Sequence, residues 1–284
     1  MSRPCRCAVI DGFDVAAFVA ATLAEDMGMG GDITSAAVIP AEARLTAVMD
    51  SRDPVVVAGL PLAAAFFRAL DPACTVTMLA SDGDTVPAGT DLMRIEGNAR
   101  ALLTAERSAL NTVQHLTGIA TMARQYVDAI AGTGAVLLDT RKTLPGLRAL
   151  EKYATRMGGA ANHRMRLDDG VMIKDNHIAV AGGVEPAVRA AKAAGLQGIV
   201  VEVDRLDQIP PAVAAGADRL LLDNMGPDTL RAAVALIAGR VPTEASGGVN
   251  LQTIRAIAET GVTYISVGRI TQSAPAADIG LDFA

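Results

Sequence analysis

The sequence contains no tryptophan, and three tyrosines and five phenylalanines make up only 3% of its 284 residues. Proteins that hold single-stranded nucleic acid stack bases on aromatic side chains, so that class loses its main instrument here. The charge balance argues against duplex binding as well. There are 31 Asp and Glu against 25 Lys and Arg, a formal net charge of −6, where a duplex-binding surface needs a basic excess. Cysteine is equally sparse. Cys5, Cys7 and Cys74 form neither a disulfide framework nor a familiar zinc spacing, which is the usage of a reducing compartment. No uninterrupted apolar run reaches membrane-spanning length, and Asp11 and Asp14 break the apolar stretch between Ala8 and Ala21. The expectation is a cytoplasmic protein with no nucleic-acid partner and no membrane partner.

What is present is aliphatic. Half of the chain (51%) is hydrophobic, enough for two domains or one large barrel with a core of Ala, Val, Leu and Ile. The first third predicts a helix over Val15–Ala24, a turn-rich segment over Glu25–Ser35 and a helix over Leu60–Leu70. Short strands are expected at Leu45–Met49, Val55–Val57, Thr75–Met78 and Leu92–Ile95, separated by turn signals, which reads as an α+β domain with antiparallel pairing. Ala101–Ile130 is one long helical pattern, with a break expected near Gly118. After Gly134, six apolar strands alternate with helices: Val136–Leu138, Val171–Ile173, Ile199–Val203, Leu220–Leu222, Thr243–Ala245 and Tyr264–Val267. That rhythm means parallel strands with helices outside. Six strands are fewer than the eight of a full barrel, so an incomplete parallel α/β barrel is expected, with a doubly wound sheet as the competing topology. The first strand lacks a Gly-x-Gly-x-x-Gly turn, which argues against the dinucleotide-binding form of the latter.

At the C-terminal ends of these strands stand Asp139, Lys174, Glu202, Asp223, Glu244 and Ser266–Gly268. In a parallel barrel those ends converge on one mouth, where the chemistry sits. Around the first strand end the acidic chain turns basic. Seven cations lie between Thr140 and Arg166, with Glu151 as the one acid among them. A local cationic cluster on an acidic protein points to a small anionic ligand. Arg148, Lys152 and Arg156 recur every four residues and read as a solvated helix face. Arg141, Lys142 and Arg164 lie near the mouth and can grip carboxylates. Lys174 is either an anion clamp or a Schiff-base nucleophile. His163 and His177 gain site roles from their charged neighbours, and His115 is read as structural. Glu202 and Asp223 end consecutive strands and suit a hard divalent cation or sugar hydroxyls, with Asp204 and Glu244 as weaker candidates. The small-residue turns Ala245–Gly248 and Val267–Gly268 suit phosphate.

These residues fall in ordered motifs: Gly31-Asp32-Ile33-Thr34-Ser35, Glu106-Arg107-Ser108, Asp139-Thr140-Arg141-Lys142-Thr143, Asn162-His163-Arg164, Ile173-Lys174-Asp175-Asn176-His177, Leu222-Asp223-Asn224, Glu244-Ala245-Ser246-Gly247-Gly248 and Ser266-Val267-Gly268. Over nearly the whole length, the chain resembles the quinolinate phosphoribosyltransferase family. The resemblance implies an N-terminal α/β sandwich over 1–112, a barrel over 113–270 and a tail, 271–284, returning to the N-terminal domain. It implies transfer of phosphoribosyl from phosphoribosyl pyrophosphate to quinolinate with loss of CO₂ in NAD biosynthesis, with Mg²⁺ as cofactor. It also implies a homodimer with shared active sites, in which Arg107 reaches the neighbouring subunit. Arg107, Arg141, His163, Arg164 and Lys174 match positions that hold the quinolinate carboxylates. Lys142, Glu202 and Asp223 match those that contact phosphoribosyl pyrophosphate and its metal, and Ser246, Gly247, Gly248 and Gly268 match the phosphate turns. Lys142, Lys174, Glu202 and Asp223 are the implied catalytic set, with Glu202 and Asp223 on the metal. The likeness departs after Gly268, where Arg269-Ile270-Thr271-Gln272 stands in place of a small residue and Leu-Thr-His. Two other functions compete: a Schiff-base aldolase using Lys174, and a non-catalytic binding paralogue.

Overall fold

The computed structural model describes Ile10 and residues 12–283; Cys5 and Cys7 lie outside the described residues. Asp14 opens helix α1 (Val15–Met27) by accepting from the Ala17 amide at 2.9 Å, and Asp32 opens α2 (Ile33–Val38) through Ser35 in the same way. Each carboxylate satisfies an amide that the helix cannot pair for itself, at the positive end of the helix dipole. α2 thus starts inside the segment that reads as turn-rich, because Asp and Ser signal helix starts as well as turns. Then follow β1 (Arg44–Ser51), β2 (Val55–Val56), α3 (Leu60–Leu70), β3 (Thr75–Met78), β4 (Thr85–Val86) and β5 (Thr90–Asn98). The next helix, α4 (Ala99–Ala129), runs unbroken through Gly118. The glycine serves a different purpose: a Cβ there would collide with the Pro275 carbonyl, and one turn earlier Gln114 O accepts from the Ala277 amide at 3.0 Å. It admits a neighbouring backbone instead of ending the helix.

The strand–helix rhythm then begins with β6 (Val136–Leu138), α5 (Arg148–Met157), β7 (Met172–Ile173), α6 (Asp175–Ala181), α7 (Val184–Ala193) and β8 (Val200–Val203). It continues with α8 (Ile209–Ala214), β9 (Arg219–Asp223), α9 (Pro227–Ile237), β10 (Thr243–Ser246), α10 (Ile254–Ala258), β11 (Tyr264–Ser266) and α11 (Arg269–Gln272). The last strand is β12 (Ile279–Phe283).

The chain forms two compact units. The first takes residues up to Met122, Ala149–Gly159 and those from Ala274 on; the second takes Ala123–Arg148 and Ala160–Ser273. The boundaries differ from the expected 112/113 and 270/271, since α4 carries the first unit further and α5 groups with it. In the first unit the sheet order is β12-β1-β5-β3, every pair antiparallel. Its core gathers Met49, Phe66, Phe67, Leu92, Met93, Ile95 and Leu102, and Phe18 meets Phe66 edge-on at 5.9 Å. α5 corrects the solvated-face reading. Leu150 to Thr155 are all buried, Glu151 meets His115 Nε2 at 2.9 Å, and Lys152 is fully buried while Arg156 is exposed. Spacing tells which residues share a helix face, and packing decides whether that face is wet.

The second unit is a six-stranded sheet in the order β6-β11-β10-β9-β8-β7, every pair parallel. From β7 to β11 consecutive strands are neighbours, and the first strand, β6, pairs with the last, β11, Val136 opposite Tyr264. That adjacency is a barrel's; a doubly wound sheet fans out from a central strand and separates first from last. The doubly wound alternative is thereby excluded. A parallel bridge from Leu138 to Ala161 continues the ring past β6, and among the described residues no ladder joins Ala161 to β7, so the ring is open at that seam. Val200, Val201 and Val203 are all buried, the pattern of strands covered on both faces. No helix among the described residues is long and apolar enough to cross a membrane.

Candidate active site

The C-terminal ends of the barrel strands and the turns beyond them enclose a cavity of about 720 Å³. Arg141, Lys142, His163, Arg164, Lys174, Glu202, Asp223, Ser246, Gly247, Gly248 and Gly268 all line it. Arg107 is not part of this wall; it lies exposed on α4 in the first unit. Asp204 and His177 are also outside it.

Asp139, directly after β6, is fully buried and accepts from the His163 amide at 2.8 Å and from Asn162 Nδ2. This strand-end acid anchors the loop that delivers His163 and Arg164. His163 Nδ1 accepts from the Arg164 amide at 2.7 Å, which assigns the ring proton to Nε2, 3.4 Å from Glu244 Oε2. Glu244 itself is fully buried and 3.3 Å from Arg219, which lies 4.1 Å from the centre of the Tyr264 ring. Burial pushes the Glu244 carboxyl up, but His163, Ser266 and Arg219 together hold it below the ordinary range. Glu244 therefore orients His163.

Arg141 and Arg164 are neighbours with too little negative charge between them. Arg141 Nε is buried and finds no hydrogen-bond partner among the described residues. Arg164 donates to Gly170 O at 2.8 Å; burial pulls its guanidinium pKa down, and the Arg141 charge pulls it further. Two desolvated guanidiniums side by side call for a dianion, and planar forks match carboxylates.

The opposite problem arises at Glu202 and Asp223. Burial raises the Asp223 pKa, the Glu202 charge raises it further, and Lys174 and Lys142 oppose both. Lys174 donates to Glu202 Oε2 at 2.8 Å. The Lys174 amide donates to His177 Nδ1 at 2.9 Å, so His177 closes the first turn of α6 and stands exposed. The site role read from the Lys-Asp-Asn-His motif is thus, for the histidine, a helix start. No cluster of three His, Cys, Asp or Glu suited to a metal exists among the described residues. Two repelling carboxylates still fit Mg²⁺, which takes one or two protein carboxylates and completes its shell with substrate phosphate and water.

The remaining walls are turns. Gly247 (φ 94) and Gly248 (φ 63) follow β10 in the left-handed region, where successive amides can converge on one anion. A Cβ on Gly268 would lie 2.7 Å from Lys142 Cδ, so the bare glycine gives passage to the lysine stem. The Thr271 hydroxyl holds the Lys142 carbonyl at 2.7 Å. Asn224, Asn250, Arg269 and Gln272 also line the cavity. Asn224 has a sequence signal that carried no role, its place between the Asp223 acid and the next helix.

Cations for carboxylates, an acid pair and glycine turns at the mouth of a parallel barrel define an enzyme acting on anionic, phosphorylated substrates. The sequence family described as Quinolinate phosphoribosyl transferase, N-terminal domain, matches residues 32–117, and its C-terminal domain counterpart matches 119–282. The chain belongs to the quinolinate phosphoribosyltransferase family. It is 45% identical over 264 residues to a probable carboxylating nicotinate-nucleotide pyrophosphorylase of Synechocystis sp., covering 91% of this chain and 89% of the relative. The carboxylating nicotinate-nucleotide pyrophosphorylase of Mycobacterium leprae is 44% identical over 92% of this chain and 94% of its own. The solved nicotinate-nucleotide pyrophosphorylase of Francisella tularensis superposes with a TM-score of 0.91 at 40% identity, covering 97% of this chain and 99% of its own.

Proposed function

We propose that this cavity carries out the reaction of the family as follows. The chain transfers phosphoribosyl from phosphoribosyl pyrophosphate to quinolinate and releases CO₂, giving nicotinate mononucleotide and pyrophosphate for NAD biosynthesis. The observation that carries the division of labour is the opposed pair of clusters: Arg141 with Arg164, and Glu202 with Asp223. Arg141 and Arg164, with His163, take the two quinolinate carboxylates and fix the ring nitrogen toward the anomeric carbon, which supplies proximity. The C–N bond forms as the bond to pyrophosphate breaks, and pyrophosphate leaves with the electron pair. Glu202 and Asp223 offset the positive charge that grows on the ribose, Lys142 offsets the negative charge that grows on the leaving group, and Lys174 joins the arginines on the quinolinate carboxylates. Mg²⁺ held by Glu202 and Asp223 would stabilise that leaving group when bound. The alkylated ring is a cationic electron sink. The carboxylate beside the nitrogen leaves as CO₂, its bonding pair stays on the ring carbon, and that carbon then takes a proton. Ser246, Gly247, Gly248 and Gly268 hold phosphate.

Lys174 is poorly suited to Schiff-base chemistry, since its ammonium is held by Glu202 and its side chain is 47% exposed. An aldolase lysine needs a desolvated, neutral amine. Arg107, exposed on α4, serves the cavity of a partner subunit in a homodimer, and the enzyme works in the cytoplasm. The test is release of CO₂ from quinolinate that requires both phosphoribosyl pyrophosphate and Mg²⁺. A well-folded preparation that releases none would overturn the reading. Mixing inactive Arg107→Ala and Arg141→Ala subunits should restore part of the activity if the site is shared; no restoration would confine Arg107 to its own subunit.

A further inference from the structure

Among the described residues, two that are not glycine adopt a left-handed backbone: Ala238 (φ 52) and Asn224 (φ 55). Ala238 caps the C-terminus of α9, where that conformation is commonplace. Asn224 ends no helix. It directly follows β9 on the cavity wall, and strain of this kind gathers where a side chain must be aimed. Its contacts show the aim. Asn224 Nδ2 donates to Asp223 Oδ2 at 2.7 Å, and its backbone N–H donates to Ser246 O at 2.8 Å. Its side-chain amide also lies against Gly247, where any Cβ would overlap Asn224 Oδ1. One residue therefore touches the acid that ends β9 and the glycine turn that ends β10.

We infer that Asn224 is a positioning residue that sets the register between the acid pair and the phosphate turn. The inference rests on the reaction proposed above. Asp223 shares the cavity with the like charge of Glu202, and a free carboxylate would rotate away from it. The Asn224 amide fixes one Asp223 oxygen and leaves the other for the substrate. The same side chain supports Gly247 from beneath, so the ribose end and the phosphate end of one ligand are held at a set separation. Asparagine suits the task because it tolerates the left-handed backbone and offers a donor and an acceptor on a short stem. Neither glycine, which lacks the amide, nor aspartate, which lacks the donor, can do both.

The test uses the full-length enzyme and three variants. Asn224→Gly keeps the backbone conformation, Asn224→Asp keeps shape and acceptor, and Asn224→Ala loses both. With folding verified by thermal melting, Asn224→Gly and Asn224→Asp should each lower kcat/KM for phosphoribosyl pyrophosphate about tenfold to a hundredfold, the scale of a lost supporting contact. KM for quinolinate should stay within about threefold of the wild type, because the arginine end is untouched. An Asn224→Gly enzyme with wild-type kinetics would reduce Asn224 to a backbone requirement and overturn the inference. So would equal loss toward both substrates. If the wild type shows no turnover, the proposed reaction fails on its own. The inference is then read by calorimetry with Mg²⁺ and pyrophosphate, which Asn224→Gly should bind at least about fivefold more weakly than the wild type. Unchanged affinity would sink it.

Discussion

The first unit and the second each enclose a cavity edged by buried polar groups, and the two differ in how those groups are matched. In the first, an apolar cavity of about 500 Å³ reaches Asp82 and Tyr153. Asp82 accepts from the Tyr153 hydroxyl at 2.7 Å and from the amides of Gly59 and Leu60 at 2.8 and 3.1 Å. It pins the start of α3; burial raises its pKa, and these three donors from the protein itself oppose the rise. In the second, Arg141 keeps a buried Nε with no partner among the described residues, Arg164 is destabilised by its neighbour, and Asp223 is crowded by Glu202. The lesson is that a cavity's function lies in electrostatic demands that the protein leaves unmet, because only a ligand can meet them. Enclosure and apolar lining alone mark packing as readily as binding.

Substitutions can break this comparison, beginning with the unmatched side. Arg141→Ala should lower kcat/KM for quinolinate about a thousandfold, or ~4 kcal/mol, with calorimetric affinity for phosphoribosyl pyrophosphate nearly unchanged. Equal loss of both ligands would show that the two clusters do not divide the substrates. Glu244→Gln comes next, at about 3 kcal/mol of stability by urea melting at neutral pH, since it leaves His163 and Arg219 without their buried anion. The folded-state pKa of Glu244 lies below its ordinary 4.5, so native binding favours the ionised form. Its stabilisation is therefore full above that value and is lost as pH falls through the folded-state pKa. The gap between wild type and Glu244→Gln should close on acidification; a constant gap would mean that the charge is irrelevant.

On the matched side, Tyr153→Phe should cost about 1–2 kcal/mol in stability and leave kcat and both KM values unchanged. A kinetic effect would show that the Asp82–Tyr153 contact bears on catalysis. Arg156→Ala is the smallest, within about 1 kcal/mol, because Arg156 is exposed and its contact with the Tyr153 ring, 5.9 Å from the ring centre, is a solvent-screened one. The same substitution at buried Lys152 should be far more damaging, which sharpens the correction to α5.

The same division explains what could be read from residues alone. The barrel was legible because each strand is a short apolar run ending in a polar residue, and chain order then places those ends at one mouth. Eleven of the twelve residues that the family likeness implies line that mouth, while His177 and Asp204, read from their neighbours alone, do not. Arg107 was legible only through likeness, since its position on α4 gives no reason to associate it with strand ends. The wet face assigned to Lys152 failed because the environment of α5 comes from residues distant in sequence. His177 closes the first turn of α6, and residue type alone does not separate a capping side chain from a ligand side chain. Asn224 was visible in sequence, but its left-handed backbone and its two neighbours exist only once β9 and β10 lie side by side.

The pairing of β12 with β1 has a consequence for synthesis. β1 ends at Ser51, and the strand that covers its outer edge begins at Ile279. During translation the nascent sheet carries a bare edge while the barrel strands are still being made, and a bare edge is a template for unwanted pairing. β12 acts as a clasp: the N-terminal sheet is complete only after all the barrel strands have been made. Deleting Ile279–Phe283 should therefore harm solubility more than the loss of five surface residues would.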